Sequence, residues 1–305
     1  MRSMMLAVCL FVIGARSALG LEMVAVAENV WAVVGDLGQR SSENLGNNAT
    51  FGVVLTTDGV VLIDSGGSAA GAAAIDREIR KVTAQPVVAV INTGGQDHRW
   101  LGNGYWKARG ARIIASARAV EDQRERLDQQ WTILSTLVGE NTLAGTTPAF
   151  ADETFRERLD LVIGGERFEL RHTGVAHTPG DAVVWLPSRR IVFAGDIVFV
   201  DRMLGILPVS RVDAWITAFD AMAALEPSVV VPGHGRPTTL AGATAATRDY
   251  LAHLRDAVRK IVKQGGGMSD AARIDQSRFL RLTGADQLAG RNAQAVFEQL
   301  EFDEQ

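Results

Sequence analysis

Pro86-Val87-Val88-Ala89-Val90-Ile91-Asn92-Thr93-Gly94-Gly95-Gln96-Asp97-His98 is a nearly continuous apolar run that breaks into small and polar residues. Such a run reads as a strand buried on both faces, followed by a loop that carries a carboxylate and an imidazole. The pattern recurs along the chain. Phe51 to Ile63 is two β-rich runs about an Asp58-Gly59 turn, a strong hairpin signal, and it ends in Asp64-Ser65-Gly66-Gly67. Alternating residues from Arg167 to His172 lead into Thr173-Gly174-Val175-Ala176-His177-Thr178-Pro179-Gly180-Asp181. Ala182 to Leu186 and Arg190 to Ala194 flank a Pro187-Ser188 turn, and the second run ends in Gly195-Asp196. Ser228 to Val231 ends in Pro232-Gly233-His234-Gly235. Any one of these strand ends is an ordinary turn. Five together are what a metal cluster at a sheet edge requires, because glycines let backbones approach while rigid strands aim the ligands.

Helical patterns fill the intervals. Ser68 is placed to cap a helix to about Thr83, and Ser116 to cap one that runs to about Leu137. Ser210-Arg211-Val212-Asp213 has the form of a capping box for a helix to about Leu225. Thr238 to Lys263 reads as a long helix stopped by Gly265-Gly266-Gly267, and Gly139 to Thr154 as irregular loop. Each half of the chain places strands first and helices around them, which predicts two packed sheets with helices outside.

Composition narrows the function. The 305 residues are 47% apolar and 22% charged, so disorder, collagen and disulfide-scaffold classes are excluded. A formal net charge of −4 gives no basic footprint for nucleic acid, and a small-molecule substrate is the expected partner. Arg2, the apolar run Met4 to Gly14 and the small residues of Ala18-Leu19-Gly20 form a signal-peptide pattern over residues 1–20. The alternative is an ordinary hydrophobic strand; the run is too short for a bilayer, which takes about 20 apolar residues. The expectation is therefore an exported, periplasmic protein, with one domain over residues 21–305 that ends in a helical extension. Cys9, the only cysteine, falls inside the signal, so a metal must be held by histidine and carboxylate. The five histidines are 98, 172, 177, 234 and 253.

The ordered set Asp64-Ser65-Gly66, Asp97-His98, Ala176-His177-Thr178-Pro179-Gly180-Asp181, Ala194-Gly195-Asp196 and Pro232-Gly233-His234-Gly235 resembles the metallo-β-lactamase superfamily. The resemblance runs from about Asn29 to about Leu254. It implies an α/β fold, the αββα four-layer sandwich, with one or two metal ions, usually zinc, at the sheet edge. Asp196 stands where glyoxalase II-like hydrolases carry a metal-bridging Asp and one β-lactamase subclass carries Cys. The opening segments from Asn29 and from Asn47 look like those of exported hydrolases found with sulfur-oxidation and quinoprotein systems.

The departure from the family pattern is as informative. Its metal motif is His-x-His-x-Asp-His after Asn-Thr; here Asn92-Thr93 is followed by Gly94-Gly95-Gln96 and then Asp97-His98. Both leading histidines are absent, and matching the Asp-His pairs leaves the segment one residue short. The resemblance assigns the missing pair and His177 to a first metal, Asp97, His98 and His234 to a second, and Asp196 to a bridge. A second site with three protein ligands and an open position is the catalytic zinc arrangement, so one ion is expected rather than two. With Asp196 as a fourth ligand the site would instead be closed and structural. A catalytic ion acidifies water and polarises a carbonyl or phosphoryl oxygen. Asp97 and His177 complete the expected catalytic set, His177 as general base or water-orienting group.

Other residues carry weaker expectations. Asp64 orients a histidine or caps a turn; Asp181, His172 and His253 read as structural. Trp100, Tyr105 and Trp106 line a pocket or belong to the core. The functional reading is an exported hydrolase whose activated water attacks an ester, thioester, lactone or related bond. Its alternative is a metal-binding accessory protein without turnover, and β-lactam hydrolysis rests on fold resemblance alone.

Overall fold

The structure is a computed structural model that describes residues 20–303, so Cys9 and all but the last residue of the expected signal lie outside the described residues. Seven strands form the first sheet in chain order: β1 (Glu22–Ala27), β2 (Val30–Val34), β3 (Thr50–Thr56), β4 (Gly59–Ile63), β5 (Val87–Asn92), β6 (Arg112–Ser116) and β7 (Glu153–Phe155). The first four pair antiparallel and the rest parallel. The second sheet contains β8 (Arg158–Ile163), β9 (Glu166–His172), β10 (Ala182–Leu186), β11 (Ile191–Phe199) and β12 (Val229–His234). Its order is β12-β11-β10-β9-β8, and only β11 and β12 run parallel.

Strand periodicity sorts the side chains. Val54, Val61 and Ile91 of the first sheet meet Val184, Leu186, Ile191 and Phe193 of the second between the layers. The alternate residues Val183, Trp185 and Val192 face outward. At Gly52 a Cβ would lie 2.4 Å from Phe193 Cε1, so the absence of a side chain there admits the opposing ring.

Helices cover both outer faces. On the first sheet lie α1 (Ala69–Ile79), α2 (Asp97–Trp100), α3 (Asn103–Lys107), α4 (Ala117–Glu125), α5 (Leu127–Val138) and α6 (Glu140–Leu143). Ile75, Ile79 and Trp106 pack beneath Val33, Phe51 and Val53. On the second lie α7 (Val212–Ala223), α8 (Leu240–Ala243), α9 (Asp249–Lys263), α10 (Met268–Ala271) and α11 (Ala285–Asp303). Trp215, Phe219, Tyr250, Leu254 and Phe297 cover Val183, Trp185 and Val192. The architecture is the expected αββα sandwich. No helix among the described residues is long and apolar enough to cross a membrane.

The capping expectations divide. Ser68 caps α1, its Oγ accepting from Gly71 N at 2.9 Å, and Ser116 caps α4 by accepting from Ala119 N at 3.0 Å. The helix expected to continue to Leu137 breaks at Arg126 instead. The two pieces let Gln123 and Gln130 donate to the carbonyls of Gly94 and Gly95 at 3.2 and 2.9 Å. Ser210 does not cap α7, which begins after Arg211 without a side-chain cap. Its hydroxyl braces a loop, donating to His177 O at 2.8 Å and accepting from Leu207 N at 3.0 Å. Between α8 and α9 a π-turn over Thr244–Arg248 brings Thr247 Oγ1 onto the backbone N and O of Phe199.

Candidate metal centre

The ends of β4, β5, β11 and β12 converge, and three buried residues meet there. A ring nitrogen of His98, one of His234 and a carboxylate oxygen of Asp196 all lie within 4.8 Å of one another. His98 Nε2 is 3.2 Å from Asp196 Oδ2, and His234 Nε2 is 3.2 Å from Asp196 Oδ1. The far nitrogen of His234 fixes its tautomer. His234 Nδ1 donates to Asn48 O at 2.7 Å, since a carbonyl only accepts. His98 Nδ1 lies between Asp97 Oδ1 at 3.1 Å and Arg40 Nη1 at 3.3 Å. Burial, against the pull of Asp196, holds His234 well below its ordinary pKa, so its ring is neutral. Its Nε2 therefore presents a lone pair to a carboxylate oxygen. Two acceptors held face to face are relieved by a cation between them. Two imidazole nitrogens and a carboxylate oxygen, each ring held from behind by a polar partner, make a transition-metal donor set.

Arg99 closes the other side of Asp196 and is wholly buried. Its Nε and Nη2 fork onto Asp196 Oδ2 and Oδ1. Nη1 donates to Asp64 Oδ2 at 2.9 Å and Thr50 O at 3.2 Å, and Nη2 also reaches Gly233 O at 2.8 Å. All five N–H groups are thus used. Burial works against the Asp196 carboxylate, but Arg99 and the two histidines outweigh it and hold its pKa well below the usual range. Burial prevails at Asp64 and raises its pKa, although Arg99 and Thr93 oppose the shift. Thr93 N and Oγ1 donate to Asp64 at 2.7 and 2.8 Å, so Asp64 positions a loop and an arginine.

The sequence reading did not single out Arg99, yet the motif contains its signal. Counting on from Asn92-Thr93 without a gap puts Gly94 and Gln96 at the two leading histidine positions, His98 at the Asp and Arg99 at the final His. The geometry follows that count: His98 and Arg99 face Asp196. Asp97, expected as a direct ligand, stands behind His98 and outside the three-residue cluster. In the first turn of α2 His98 faces Asp196, and Asp97 turns aside to Arg40. The Asp97 carboxylate is ion-paired with Arg40 and accepts from His98 N at 2.7 Å. Burial would raise its pKa, but Arg40 and His98 bring it down to about 2.

The first-metal region is filled differently. A Cβ on Gly94 would lie 2.5 Å from Asp181 Oδ1, and one on Gly95 only 1.9 Å from Asp122 Oδ2. A side chain at either place would require these carboxylates to move, and of the two Gly94 stands at a leading histidine position. His177 is buried against Phe199 and Trp215, with ring centroids 5.5 and 5.3 Å away. It lies outside the cluster, and its Nδ1 is buried without a hydrogen-bond partner. Burial lowers its pKa to about 4 despite the attraction of Asp196, so it is neutral at pH 7. The donor set of His98, Asp196 and His234 fits a metal ion, and His177 lies outside it.

The remaining candidates have structural contacts. Burial, reinforced by the charge of Asp196, pushes the Asp181 carboxyl up to about 8, and Asp181 accepts from Thr178 N at 2.7 Å. His172 Nδ1 bonds Asp181 O and His253 Nε2 bonds Asp275 O, both at 2.7 Å. Trp100 stacks on Phe150, Trp106 Nε1 donates to Ser65 O at 3.0 Å, and Tyr105 OH donates to Asp76 at 2.8 Å. A cavity of about 260 Å³ opens beside Asp97, between Arg40, Gln96 and Gln130 on one side and Leu207 and Pro208 on the other. A larger hollow of about 490 Å³ lies behind Leu207 and Pro208 against α11, and none of the clustered residues lines it.

Residues 45–234 match the profile of the Metallo-beta-lactamase superfamily. A linear primary-alkylsulfatase from Pseudomonas sp. is 21% identical over 253 residues, covering 68% of this chain and 46% of the relative. The chain thus spans about half the length of that protein. A metallo-beta-lactamase type 2 from Elizabethkingia meningoseptica is 27% identical over 191 residues, covering 61% of this chain and 68% of the relative. Among solved structures, a metallo-beta-lactamase from Pontibacter korlensis aligns with a TM-score of 0.58 and 23% identity, over 73% of this chain and 95% of its own. A stereoselective inverting sec-alkylsulfatase from Pseudomonas sp. aligns with a TM-score of 0.71 and 16% identity, over 94% of this chain and 50% of its own. The matched segment holds His98, Arg99, His177, Asp196 and His234 on the same two-sheet frame, and the chain belongs to the metallo-beta-lactamase superfamily.

Proposed function

We propose that the protein is an exported, periplasmic hydrolase of small ester, thioester, lactone or related substrates that works with one transition-metal ion, zinc by family habit. The observation that carries this reading is the convergence of His98 Nε2 and of the neutral His234 ring, its Nδ1–H held by Asn48 O, on the two carboxylate oxygens of Asp196. His98, His234 and Asp196 would hold the ion, which supplies Lewis-acid polarisation of the substrate and acidification of water. Asn48 keeps the His234 ring in that tautomer, and Asp97 braces the His98 ring from behind. Arg99 balances the charge of Asp196 without occupying the side that faces the histidines. His177 is neutral, and its unpartnered Nδ1 accepts a proton from the attacking water or orients it. The cavity between Gln96 and Pro208 receives the substrate. The signal pattern of residues 1–20 supports export, with a mature chain that starts near Leu21.

Glycine at 94 and 95, packed against Asp181 and Asp122, favours a second reading, a metal-binding accessory protein without turnover. Metal analysis of the purified protein with a panel of esters, thioesters, lactones, β-lactams and alkyl sulfates separates the two. The hydrolase reading expects close to one ion per chain and metal-dependent turnover of at least one class. One ion without turnover supports the accessory reading; two tightly held ions would overturn the single-ion assignment.

A further inference from the structure

We propose that Thr247, in the helical layer outside the second sheet, is a positioning residue for the metal centre. Its hydroxyl clamps the end of a bulge in β11, and the Phe199 ring at that end holds the His234 imidazole in place. The effect on metal binding rests on the metal-site reading above; the hold on His234 does not.

β11 does not run in step with β12. Gly195 to Phe199 spans four steps where Pro232 to His234 spans two, so β11 bulges, and Asp196 lies inside the bulge. Bulges re-aim side chains next to active sites. This one brings two side chains to His234. Asp196 Oδ1 stands 3.2 Å from its Nε2, and the Phe199 ring lies on the imidazole with centroids 4.5 Å apart and planes 17° from parallel. The same phenyl packs against His177 and Trp215, with centroids 5.5 and 6.1 Å away. One ring thus backs both a residue of the donor set and the proposed base.

The far end of the bulge is fixed from outside the sheet. β10 pairs with β11 only as far as Phe193, so beyond it one edge of β11 has no strand beside it. The backbone of Phe199 is taken instead by a single side chain. Thr247 Oγ1 accepts from Phe199 N at 2.9 Å and donates to Phe199 O at 2.6 Å. Val200 N then donates to His234 O at 2.9 Å, so clamp, ring and ladder bracket one histidine.

The helix gives up regular geometry to do this. A threonine within a helix commonly bonds the carbonyl four residues back, as Thr244 does in donating to Leu240 O at 2.8 Å. Thr247 spends its one hydroxyl proton on Phe199 instead, from a π-turn over Thr244–Arg248. Such turns are rare and recur at functional sites. Thr247 is wholly buried, so without its hydroxyl the Phe199 N–H and C=O would stand unpaired where such groups are nearly always satisfied. The strand end then shifts to find partners, and the ring leaves the imidazole face.

The test compares Thr247→Val, which removes the hydroxyl, with Thr247→Ser, which keeps it, in the full-length protein. The first readout needs no metal. Protons above an aromatic face resonate upfield, so the carbon-bound ring protons of His234 in metal-free wild type should lie upfield. They should move toward their ordinary positions in Thr247→Val and return in Thr247→Ser. The second readout is zinc affinity by competition with a chelator. Groups that orient metal-ligating side chains are commonly worth about 10–100-fold in affinity, so Thr247→Val should lose about tenfold or more and Thr247→Ser little. Where Thr247→Val does not fold, Phe199→Leu removes the ring, keeps the backbone bonds and should weaken zinc by a similar factor. If wild type holds no zinc but the His234 protons still move in Thr247→Val, the metal reading fails and the positioning role stands. With a wild type that binds zinc, unchanged affinity in either folded variant overturns the proposal, whatever its melting temperature. So do unmoved His234 protons in Thr247→Val, or a Thr247→Ser no better than Thr247→Val.

Discussion

Removing the Arg99 guanidinium leaves Asp64 and Asp196 buried with their strongest partner gone. Breaking a buried ion pair on one side costs about 3–5 kcal/mol, because the orphaned charge remains where water cannot reach it. Arg99→Met, which keeps the stem, should lose stability on that scale in a urea titration; a loss below about 1 kcal/mol would mean that the carboxylates had simply taken up protons. Asp181 gives the complementary case. Its carboxyl, pushed up from 3.8 to about 8, binds its proton more tightly folded than unfolded. Stability from this group is fully present below pH 4 and is lost as pH rises toward 8. Asp181→Asn removes that dependence, so the melting temperature of wild type should fall relative to the variant between pH 5 and pH 8. Parallel curves would rule the raised pKa out. At this scale the chemistry-bearing residues were visible as Asp and His beside strand-end glycines, but not their directions. Asp97 and His98 are adjacent letters, and only the turn of α2 decides which faces Asp196.

Elements position these residues from a distance. The loop from Leu204 to Arg211 forms one wall of the cavity through Leu207 and Pro208, and α11 grips it from behind. Asn292 Oδ1 accepts from Ile206 N at 2.9 Å and its Nδ2 donates to Leu204 O at 2.8 Å. Gln299 accepts from Val212 N and donates to Ser210 O, both at 3.0 Å, and Ser210 Oγ holds His177 O. Gln299→Ala should therefore loosen the wall and raise KM severalfold while metal content stays that of wild type. A fall in kcat alone, with KM unchanged, would place the effect on His177 and not on the wall. Elements were legible where local chemistry decides them: the Asp58-Gly59 hairpin and the Ser68 and Ser116 caps. Ser210 shows the limit, since a serine before a helical pattern looks the same whether its hydroxyl caps the helix or braces a neighbouring loop. The break at Arg126 was equally hidden, because its cause is the distant pair of carbonyls that Gln123 and Gln130 reach.

For the whole molecule, each half of the chain places strands first and helices around them, so two packed sheets with helices outside could be read before any contact was known. The convergence of the strand ends could not, because it depends on how the sheets are set against each other. His98 follows β5 of the first sheet, whereas Asp196 and His234 lie on β11 and β12 of the second. An ion held by all three joins the two sheets, and the unfolded chain offers no such site. A ligand that binds only the native state raises its stability by about 4 kcal/mol at a thousandfold excess over Kd. Arg99 already links Thr50 and Asp64 of the first sheet to Asp196 and Gly233 of the second, so the metal-free protein should remain folded and unfold in one step. Titrating zinc into chelator-treated protein should raise the melting temperature until one equivalent is bound, and a second equivalent should add little. His234→Ala should abolish the shift. His177→Ala should keep it and the metal content while hydrolysis falls by about two to four orders of magnitude, the usual worth of a positioned acid or base. Loss of the shift in His177→Ala would make His177 a ligand and move the ion toward the face that Gly94 and Gly95 leave to Asp181 and Asp122.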